Sequence, residues 1–382
     1  MRALRAIGDF FKKADMLLLG LCLAASLGGL VILSSTTAHF GSSHYLVVQS
    51  AAIAIGVTVY VLLTMFDVEI LTGQSTVLIL FDLLFIGTLF LWGVEGNTGN
   101  RSWLEFSWLP FNIQPAEICK ITFILINAKL MSDRRRHISE PKTVALLVGH
   151  LLLTVGVILV ASDDMGVALI YVFLFLVMAF LGGISRYWFF GGIGAAAVAA
   201  PLLWFVLLRQ DQKNRILALF DPSIDPAGEG VLWQTNLSLR AIRGGGITGQ
   251  GLYCGALTRV GVNPQQHNDF VFSSIAEELG VVGCIAVLLL LTAIILRCIY
   301  VGVKSGSYAN RLICVGIAAM LLFQIVVNVG MCLGLLPVVG LTLPFFSYGG
   351  SSVVATFFAM GLVSGIHSRP SPDGAALYVR PA

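Results

Sequence analysis

Ten apolar runs divide this chain of 382 residues, and they constrain its fold more than any other feature. They lie at roughly 16–34, 46–65, 77–92, 114–131, 143–160, 166–182, 188–208, 276–299, 312–335 and 351–366. A helix needs about 20 apolar residues to cross a bilayer. The composition is 57% hydrophobic and 11% charged, whereas a soluble domain usually carries about a quarter charged residues. The sequence therefore predicts an all-α polytopic membrane protein with about ten transmembrane helices, folded as a single domain over residues 1–382.

The positions of lysine and arginine orient these helices, because basic residues concentrate in the short loops on the cytoplasmic side. All the basic clusters fall on one side if both termini are cytoplasmic, and Arg101 is the exception in the short outer loops. A long segment, 209–275, is then expected as an extracytoplasmic loop between the seventh and eighth helices. The clusters comprise Arg2, Arg5, Lys12, Lys13, Arg134, Arg135, Arg136, Lys142, Arg186, Lys304, Arg311, Arg369 and Arg380.

Other features narrow the class of protein further. The basic N-terminus followed by an apolar run lacks a convincing cleavage site, so it is interpreted as a retained first helix. The seven cysteines form no CxxC pair, which indicates neither a disulfide framework nor a metal site. The formal net charge of +3 reflects the residues that flank the helices and does not indicate nucleic-acid binding.

The stretch "QQHNDFVF" places Asp269 directly before the eighth apolar run. A carboxylate at the outer membrane surface is suited to act as a general base on a hydroxyl group. Aspartate is equally favoured as a helix N-cap, so the two interpretations stay open on spacing alone. His267 is a second candidate base. Glu277 and Glu278 are interpreted as favourable charges near the helix N-terminus.

Further charged residues gather at the same predicted face. Glu117 and Lys120, in "QPAEICK", are three residues apart and therefore share one helix face. They form either a packing ion pair or a contact for a substrate. Arg101 lies in the preceding outer loop, and "SDDMG" places Asp164 between the fifth and sixth helices. A concentration of charges at one membrane face indicates a polar site there.

The long outer segment is rich in glycine and arginine. In "RAIRGGGITGQG" the glycines permit backbone N–H groups to approach a ligand closely, which suits an anionic group such as a diphosphate. Arg240 and Arg243 lie beside them. A flexible surface loop is the alternative interpretation. Near the C-terminus, prolines and glycines interrupt the path over 334–352, and such backbone at membrane depth requires shielding by protein or by a wet cavity.

Three long patterns, "QPAEICK", "QHNDFVFSSIAEELG" and "LPVVGLTLPFFSYGGSS", occur in this order on ten predicted helices. Together they resemble the SEDS family, which includes RodA and FtsW, from about residue 15 to 367. The resemblance implies a peptidoglycan glycosyltransferase that polymerises lipid II at the outer face of the bacterial cytoplasmic membrane, for cell elongation or division. The run "GMCLGLLPVVG" favours the elongation type.

The resemblance also assigns roles to residues. The family's essential aspartate falls on Asp269, its charged pair on Glu117 and Lys120, and its "P-D-L-G" aspartate on Asp164. Its "R-W" element falls on Arg101 and, one residue further along, Trp103. The sequence departs from the family in "DDMG", so the turn before Asp164 is expected to differ. Gln265 replaces a common glutamate, and the alignment of Gln234 stays open.

The implied chemistry is an attack by one sugar's 4-hydroxyl on the anomeric carbon of another, with inversion and loss of undecaprenyl diphosphate. Asp269 is the expected base, and His267 becomes a supporting residue. Arg101, Lys120, Arg240 and Arg243 are the candidate cations for the leaving diphosphate. The resemblance implies a divalent cation, Mg²⁺ or Mn²⁺, as a candidate cofactor, although the sequence contains no recognisable metal cage.

The expected partners are a class B penicillin-binding protein, which is a transpeptidase, together with lipid II, undecaprenyl-linked glycan and membrane lipid. Two functions from other classes stay open. A flippase for lipid-linked precursors also needs a charged cavity and lipid grooves, but with access from both faces. A non-catalytic scaffold for the transpeptidase does not need Asp269 at all.

Overall fold

The structure, a computed structural model, describes residues 13–95, 100–206 and 208–369. A two-residue antiparallel hairpin pairs β1 (Gly93–Val94) with β2 (Trp103–Leu104), and short 3-10 turns occur at Ala38–Phe40, Arg135–His137 and Pro222–Ile224. The remaining elements are helices: α1 (Met16–Thr36), α2 (His44–Met65), α3 (Val68–Gly73), α4 (Ser75–Gly87), α5 (Leu89–Trp92), α6 (Pro115–Asp133), α7 (Pro141–Ser162), α8 (Met165–Leu181), α9 (Arg186–Val206), α10 (Gln210–Leu217), α11 (Trp233–Gly245), α12 (Val271–Lys304), α13 (Tyr308–Cys332) and α14 (Gly350–Ser368).

Each of the ten apolar runs coincides with a helix or, for α4 and α5, with two helices in series. Within the described residues, eight spans are long and apolar enough to cross a membrane, taking α4 and α5 together. The exceptions are α8, which has 17 residues, and α6, which carries four charged side chains. The all-α membrane fold is therefore confirmed, while the count of ten helices stays a prediction. The single domain over 1–382 also stays a prediction, and Arg2, Arg5, Lys12 and Arg380 lie outside the described residues.

The helix α6 lies at the centre of the bundle, although it is less apolar than its neighbours. It packs against α4, α8 and α13, and it is buried along most of its length. Two of its charged residues, Glu117 and Lys120, are themselves buried and face each other one turn apart. The core thus encloses an ion pair, which explains why composition alone does not mark this helix as a membrane span.

The predicted outer loop 209–275 contains secondary structure of its own, and its location outside the membrane stays a prediction. It contains α10 and α11, and α12 begins at Val271, a few residues earlier than the apolar run suggested. The helix α11 packs against α12 and more lightly against α13. A long connection in a compact protein is usually functional, and here it forms a folded layer on the bundle.

The glycines of this segment allow close packing of one backbone against another. A Cβ atom at Gly245 would lie 1.8 Å from the carbonyl oxygen of Ala276, and one at Gly249 would lie 2.2 Å from that of Glu278. Gly280 interrupts α12 with a φ of 67° at the same place. The glycine-rich stretch therefore seats α11 and the following loop on the kink of α12. The structure does not support its interpretation as a loop that presents N–H groups to a diphosphate.

Two glutamates in the first turns of α12 accept hydrogen bonds from the loop that follows α11. Glu277 accepts hydrogen bonds from the N–H groups of Leu257 and Thr258, at 2.8 and 2.9 Å, and from the Thr258 hydroxyl at 2.6 Å. Glu278 accepts one from the N–H of Tyr253 at 3.1 Å. Both side chains are buried, so they act as loop anchors in addition to any favourable interaction with the helix dipole.

Replacement of Gly245 by alanine is expected to destabilise the protein. The new methyl group would collide with the α12 backbone, and overpacking of this kind costs about 1–3 kcal/mol. The melting temperature in detergent should fall. Gly244→Ala is the matched control, because its Cβ would meet only the movable side-chain end of Gln250, at 3.0 Å. Equal melting temperatures for the two variants would contradict the close packing of α11 on α12.

Candidate functional site

A cavity of about 400 Å³ lies at the end of the bundle where α2, α6, α8, α12 and α14 begin. Its wall is formed by the segment that leads into α6, by the turn before α12 and by the interrupted stretch before α14. Trp103, Phe111 and Tyr348 supply aromatic surface, and amides and hydroxyls supply polar surface. The polar residues in the wall include Asn112, Gln114, Gln265, Asn268, Thr342 and Ser352.

The charged side chains in the described part of the wall are all carboxylates. Glu117, Asp164 and Asp269 line the cavity, and neither lysine nor arginine lines it among the residues that the structure describes. Each of the three lies at or just before the N-terminus of a helix, where the positive end of the helix dipole favours negative charge. The fold therefore concentrates acidic groups at one point and partly compensates them with backbone dipoles.

The backbone of the turn 267–269 is held by three separate donors. The carbonyl of His267 accepts a hydrogen bond from the N–H of Tyr348 at 2.8 Å. The carbonyl of Asn268 accepts one from the Ser347 hydroxyl at 2.7 Å. The carbonyl of Asp269 accepts one from the side-chain amide of Asn328 at 2.8 Å, and the same amide also donates to Leu341 O at 2.7 Å. Residues from α13 and from the stretch before α14 thus fix the position of Asp269.

The carboxylate of Asp269, by contrast, accepts no hydrogen bond from the described residues. It does not cap α12, because Phe270 occupies the N-cap position and no side-chain cap bond forms. Gly340, with a φ of +70°, lets the opposite wall approach so closely that a Cβ there would lie 3.6 Å from Asp269 Oδ2. Burial, with a contribution from the charge of Asp164, raises the pKa of Asp269 to about 6. The structure therefore favours the general-base interpretation over the N-cap.

Asp164 has a different environment, because its carboxylate is well bonded. It caps α8 by accepting the N–H of Val167 at 3.0 Å, and its other oxygen lies 3.4 Å from the Ser102 hydroxyl and 3.5 Å from the amide of Gln114. Burial raises its pKa, and the charge of Glu117 adds to this effect. Asp164 thus links three parts of the wall and supplies a negative charge near Asp269.

Glu117 and Lys120 form the ion pair that their spacing allowed, with Nζ and Oε1 2.7 Å apart. Glu117 lines the cavity, whereas Lys120 does not and is 1% exposed. A packing ion pair and a substrate contact are therefore compatible for Glu117, because it pairs with Lys120 and also faces the cavity. Lys120 is enclosed behind it, away from the position expected for a direct contact with diphosphate.

The other predicted site residues are not brought into the cavity. The guanidinium of Arg101 is exposed and lies 3.3 Å from the carbonyl of Gly93, across the β1–β2 hairpin. Arg240 and Arg243 are exposed on α11 and do not line the cavity. These arginines therefore do not line the cavity that contains Asp269, because topology assigns a residue to a membrane face but not to a side of the bundle. Their expected role as cations for the diphosphate stays a prediction.

His267 is buried by aromatic rings and lies outside the cavity wall. Its ring meets Tyr45 at 5.1 Å, Phe40 at 5.8 Å and Tyr348 at 5.9 Å between centroids. Burial, with a contribution from His39, lowers the pKa of His267 to about 4. Such an imidazole is neutral at physiological pH and is a weaker base than Asp269, so a packing role is better supported.

Several residues with clear roles at the site were not predicted from the sequence. Asn328 is the most informative, because a fully buried amide inside the apolar run of α13 is itself a signal of a polar contact. Gln265 accepts a hydrogen bond from the Asn268 amide at 3.1 Å, while Asn268 Oδ1 has no partner within the described residues. Asn268 lines the cavity, but this oxygen is itself buried.

The turn in "DDMG" differs from a proline turn, as expected. Asp163 adopts a left-handed conformation with a φ of 52°, which proline cannot adopt because its ring fixes φ near −65°. The carboxylate of Asp163 forms an ion pair with Arg209, whose Nη1 lies 2.9 Å from Oδ2. Neither the conformation nor the pair was evident from the sequence.

The fold and the site define a multi-pass helical membrane protein with an acidic cavity at one end of its bundle. The family model described as "Cell cycle protein", which covers FtsW, RodA and SpoVE, matches residues 14–371. The chain belongs to this family, which is the SEDS family. The bacterial cytoplasmic membrane is accordingly its location.

Similar proteins carry consistent names. The chain is 31% identical over 320 residues to "Peptidoglycan glycosyltransferase MrdB" of Escherichia coli, covering 83% of this chain and 84% of that protein. It is 30% identical over 366 residues to "Probable peptidoglycan glycosyltransferase FtsW" of Geobacter metallireducens, covering 94% and 96%.

Solved structures show the same fold. The crystal structure of the rod shape determining protein RodA of Thermus thermophilus matches with a TM-score of 0.68 and 30% identity, covering 93% of this chain and 96% of that one. A chain of the structure described as "Structural coordination of polymerization and crosslinking by a peptidoglycan synthase complex" matches with a TM-score of 0.78 and 33% identity, covering 93% and 97%.

Asn328→Leu is expected to destabilise the protein, because it removes the N–H donor of the Leu341 carbonyl and leaves the Asp269 carbonyl with only the weak thiol donor of Cys332, at 3.8 Å. An unsatisfied buried acceptor costs about 1–3 kcal/mol. The melting temperature in detergent should therefore fall. The matched control is Gln324→Leu on the same helix, since Gln324 Oε1 has no partner within the described residues. If the two variants lost equal stability, the bonds of Asn328 would not be important for the turn.

Proposed function

We propose that this protein is a peptidoglycan glycosyltransferase that polymerises lipid II, with Asp269 as its general base. The observation that carries the proposal is a partly buried carboxylate that accepts no hydrogen bond from the described part of the chain, on a turn held in place at a polar cavity by N–H and O–H donors. The names of its relatives support the reaction class. The separate roles of the residues below are proposals that rest on their geometry.

In the proposed reaction, the 4-hydroxyl oxygen of one sugar attacks the anomeric carbon of another. The new C–O bond forms as the bond from that carbon to the diphosphate breaks, and the hydroxyl proton passes to Asp269. A carboxylate with a pKa of about 6 accepts this proton more readily than an ordinary aspartate, whose pKa is about 3.9. It is still about nine-tenths ionised at pH 7, so most molecules hold the base in its active form.

Asp164 and the aromatic residues of the wall have supporting roles in this proposal. The negative charge of Asp164 helps to keep the pKa of Asp269 high, and its bonds to Ser102 and Gln114 hold the wall together. The aromatic surface of Trp103 and Tyr348 is suited to position a sugar with its hydroxyl toward Asp269. These groups orient the acceptor and restrict water beside the base.

A divalent cation is compatible with these donors. No group of three or more His, Cys, Asp or Glu residues converges in the part of the chain that the structure describes, so a cage made by protein alone is not formed there. Mg²⁺ is commonly held by one or two carboxylates together with substrate phosphates and water. Asp164 and Glu117 line the cavity and would hold such an ion, which would offset the negative charge of a diphosphate.

We also propose that a class B penicillin-binding protein is the partner. Support comes from the similar chain in a complex that coordinates polymerisation and crosslinking. Membership of the elongation type stays a prediction, because relatives named MrdB and FtsW match at 31% and 30% identity. Polymerisation assays with lipid II, run with the protein alone and with the transpeptidase, would measure the dependence on this partner.

Asp269→Asn tests the proposed base directly. The amide is nearly isosteric but cannot accept the proton, so polymer formation should fall by at least about 100-fold, a typical contribution of general-base catalysis. The measurement is the gel-resolved glycan product from lipid II in detergent, with the melting temperature as the control for folding. Glycan strands made at the wild-type rate would overturn the assignment. Scrambling of labelled lipid in vesicles without polymer would instead favour a flippase.

The pH dependence tests the environment of Asp269. Because the ionised carboxylate is the active form, kcat/KM should rise with pH and reach half its maximum near the raised pKa of about 6. Asp164→Asn removes the neighbouring negative charge, which lowers the pKa of Asp269 and moves the acidic limb to lower pH. Asparagine still caps a helix, so α8 should keep its start. An unchanged or upward-shifted acidic limb would contradict this electrostatic coupling.

A further inference from the structure

The proposed reaction releases a diphosphate, and the cavity as described lacks positively charged side chains in its wall. Glu117, Asp164 and Asp269 supply negative charge, and Lys120 is enclosed behind Glu117. A diphosphate and the wall carboxylates together carry more negative charge than the one divalent ion proposed above supplies, so binding requires further cations close to this wall. The inference below concerns the source of those cations, and it rests on the proposed function.

Two arginines of the segment that follows α9 contact residues next to the cavity wall. Arg209 Nη1 lies 2.9 Å from the carboxylate of Asp163, the neighbour of Asp164, and its Nη2 lies 3.5 Å from the carboxylate of Asp211. Arg215 Nη1 donates to the carbonyl of Val338 at 3.1 Å, two residues before Gly340. The N-cap residue of α10 and a residue within α10 thus place one guanidinium beside each of two segments next to the wall, 163–166 and 338–340.

These two wall segments touch each other and lead directly to the proposed base. A Cβ atom at Gly166 would lie 2.3 Å from the carbonyl oxygen of Val339, so the corner before α8 packs directly against the stretch 338–340. The same stretch continues to Gly340, beside Asp269 Oδ2. Arg209 and Arg215 thus each contact a residue within two positions of the cavity wall, and the stretch that Arg215 contacts leads to Gly340 beside the base.

The present contacts of both arginines are weak enough for a charged ligand to replace them. The side chains of Arg209 and Asp163 are 53% and 48% exposed, and ion pairs this accessible to water are weak. Arg215 is exposed and its described contact is a neutral carbonyl, which leaves its charge uncompensated. The Asp163 contact joins one guanidinium nitrogen to one oxygen, and the Val338 contact is to a neutral carbonyl. A diphosphate carries more negative charge than a carboxylate and can accept from two guanidinium nitrogens at once, which gives stronger bonds than either contact.

We propose that Arg209 and Arg215 bind the diphosphate of the lipid-linked substrate. On binding, phosphate oxygens replace the Asp163 carboxylate and the Val338 carbonyl as the acceptors of the two guanidinium groups. Asp163 then acts as an internal competitor that holds Arg209 at the edge of the cavity until the substrate arrives. This assigns the role that the sequence had suggested for Arg240 and Arg243 to a different helix.

Kinetics with lipid II test this assignment. Arg209→Ala and Arg215→Ala are each expected to raise KM by about tenfold or more, since each loses a charge-assisted hydrogen bond to the substrate. Arg209→Lys should recover part of the loss because it keeps the charge. Arg259→Ala is the matched control: it removes one positive charge from an exposed site in the same long segment and should leave KM unchanged. A wild-type KM in both alanine variants, or an equal rise in Arg259→Ala, would overturn the proposal.

Asp163→Asn separates diphosphate binding from a structural role of the ion pair. Asparagine tolerates the left-handed conformation of this residue, so the turn should persist while the competing charge is lost. If Arg209 binds diphosphate, KM should stay the same or fall. If the pair only braces the wall, Asp163→Asn should raise KM as Arg209→Ala does, and that result would overturn the proposal.

Direct binding keeps this test independent of catalysis. Undecaprenyl diphosphate should bind Arg209→Ala and Arg215→Ala about tenfold more weakly than it binds the wild type, and undecaprenol should bind all three equally. Equal binding of undecaprenyl diphosphate to all three proteins would overturn the assignment of the arginines. Absence of polymer from the wild type with lipid II would instead count against the proposed function, so the two failures are distinguishable.

Discussion

The amide of Asn328 fixes the geometry on which the rest of the site depends. It donates to the carbonyl of Asp269 at 2.8 Å and to that of Leu341 at 2.7 Å, and so it joins the two walls of the cavity from a buried position on α13. Because donors hold the backbone of this turn, the carboxylate of Asp269 is not needed to hold the turn in place. A side chain that stabilises its own turn would be a poorer base, since the bonds to its ionised form would lower its pKa.

The electrostatics of the site follow from the helices that begin together around it. Five helices start at the cavity, and their dipoles favour the acidic groups that the core would otherwise exclude. Glu117 is further compensated by Lys120 within α6 and Asp164 by hydrogen bonds, whereas the carboxylate of Asp269 has no direct partner among the residues that the structure describes. The three carboxylates are similar in chemistry, and the differences in their partners leave one of them suited to accept a proton.

The sequence predicted the helices and the acidic residues of the site better than its cations. Apolar runs specify helices directly, and the motifs placed Asp269, Asp164 and Glu117, which the structure brings to one cavity. The side of the bundle on which a charged residue lies depends on packing, so Arg240 and Arg243 could not be placed from topology. Glycine is similarly ambiguous, because the freedom that admits a ligand also admits a neighbouring backbone, and at Gly245 the neighbour is α12.

The same negative charge that makes Asp269 a stronger base also opposes a diphosphate. Asp164 raises the pKa of Asp269, and both residues line the cavity that the substrate must enter. A cation held permanently beside Asp269 would relieve the repulsion but would also lower the pKa of the base, whereas the Mg²⁺ ion proposed above would enter together with the diphosphate. Cations held at the edge of the cavity, as proposed for Arg209 and Arg215, avoid this conflict, since they neutralise the leaving group while Asp269 keeps its acidic neighbour. The ion pair between Arg209 and Asp163 is consistent with cations at the edge of the cavity. While no substrate is bound, Asp163 compensates the charge of the arginine and holds it away from the base.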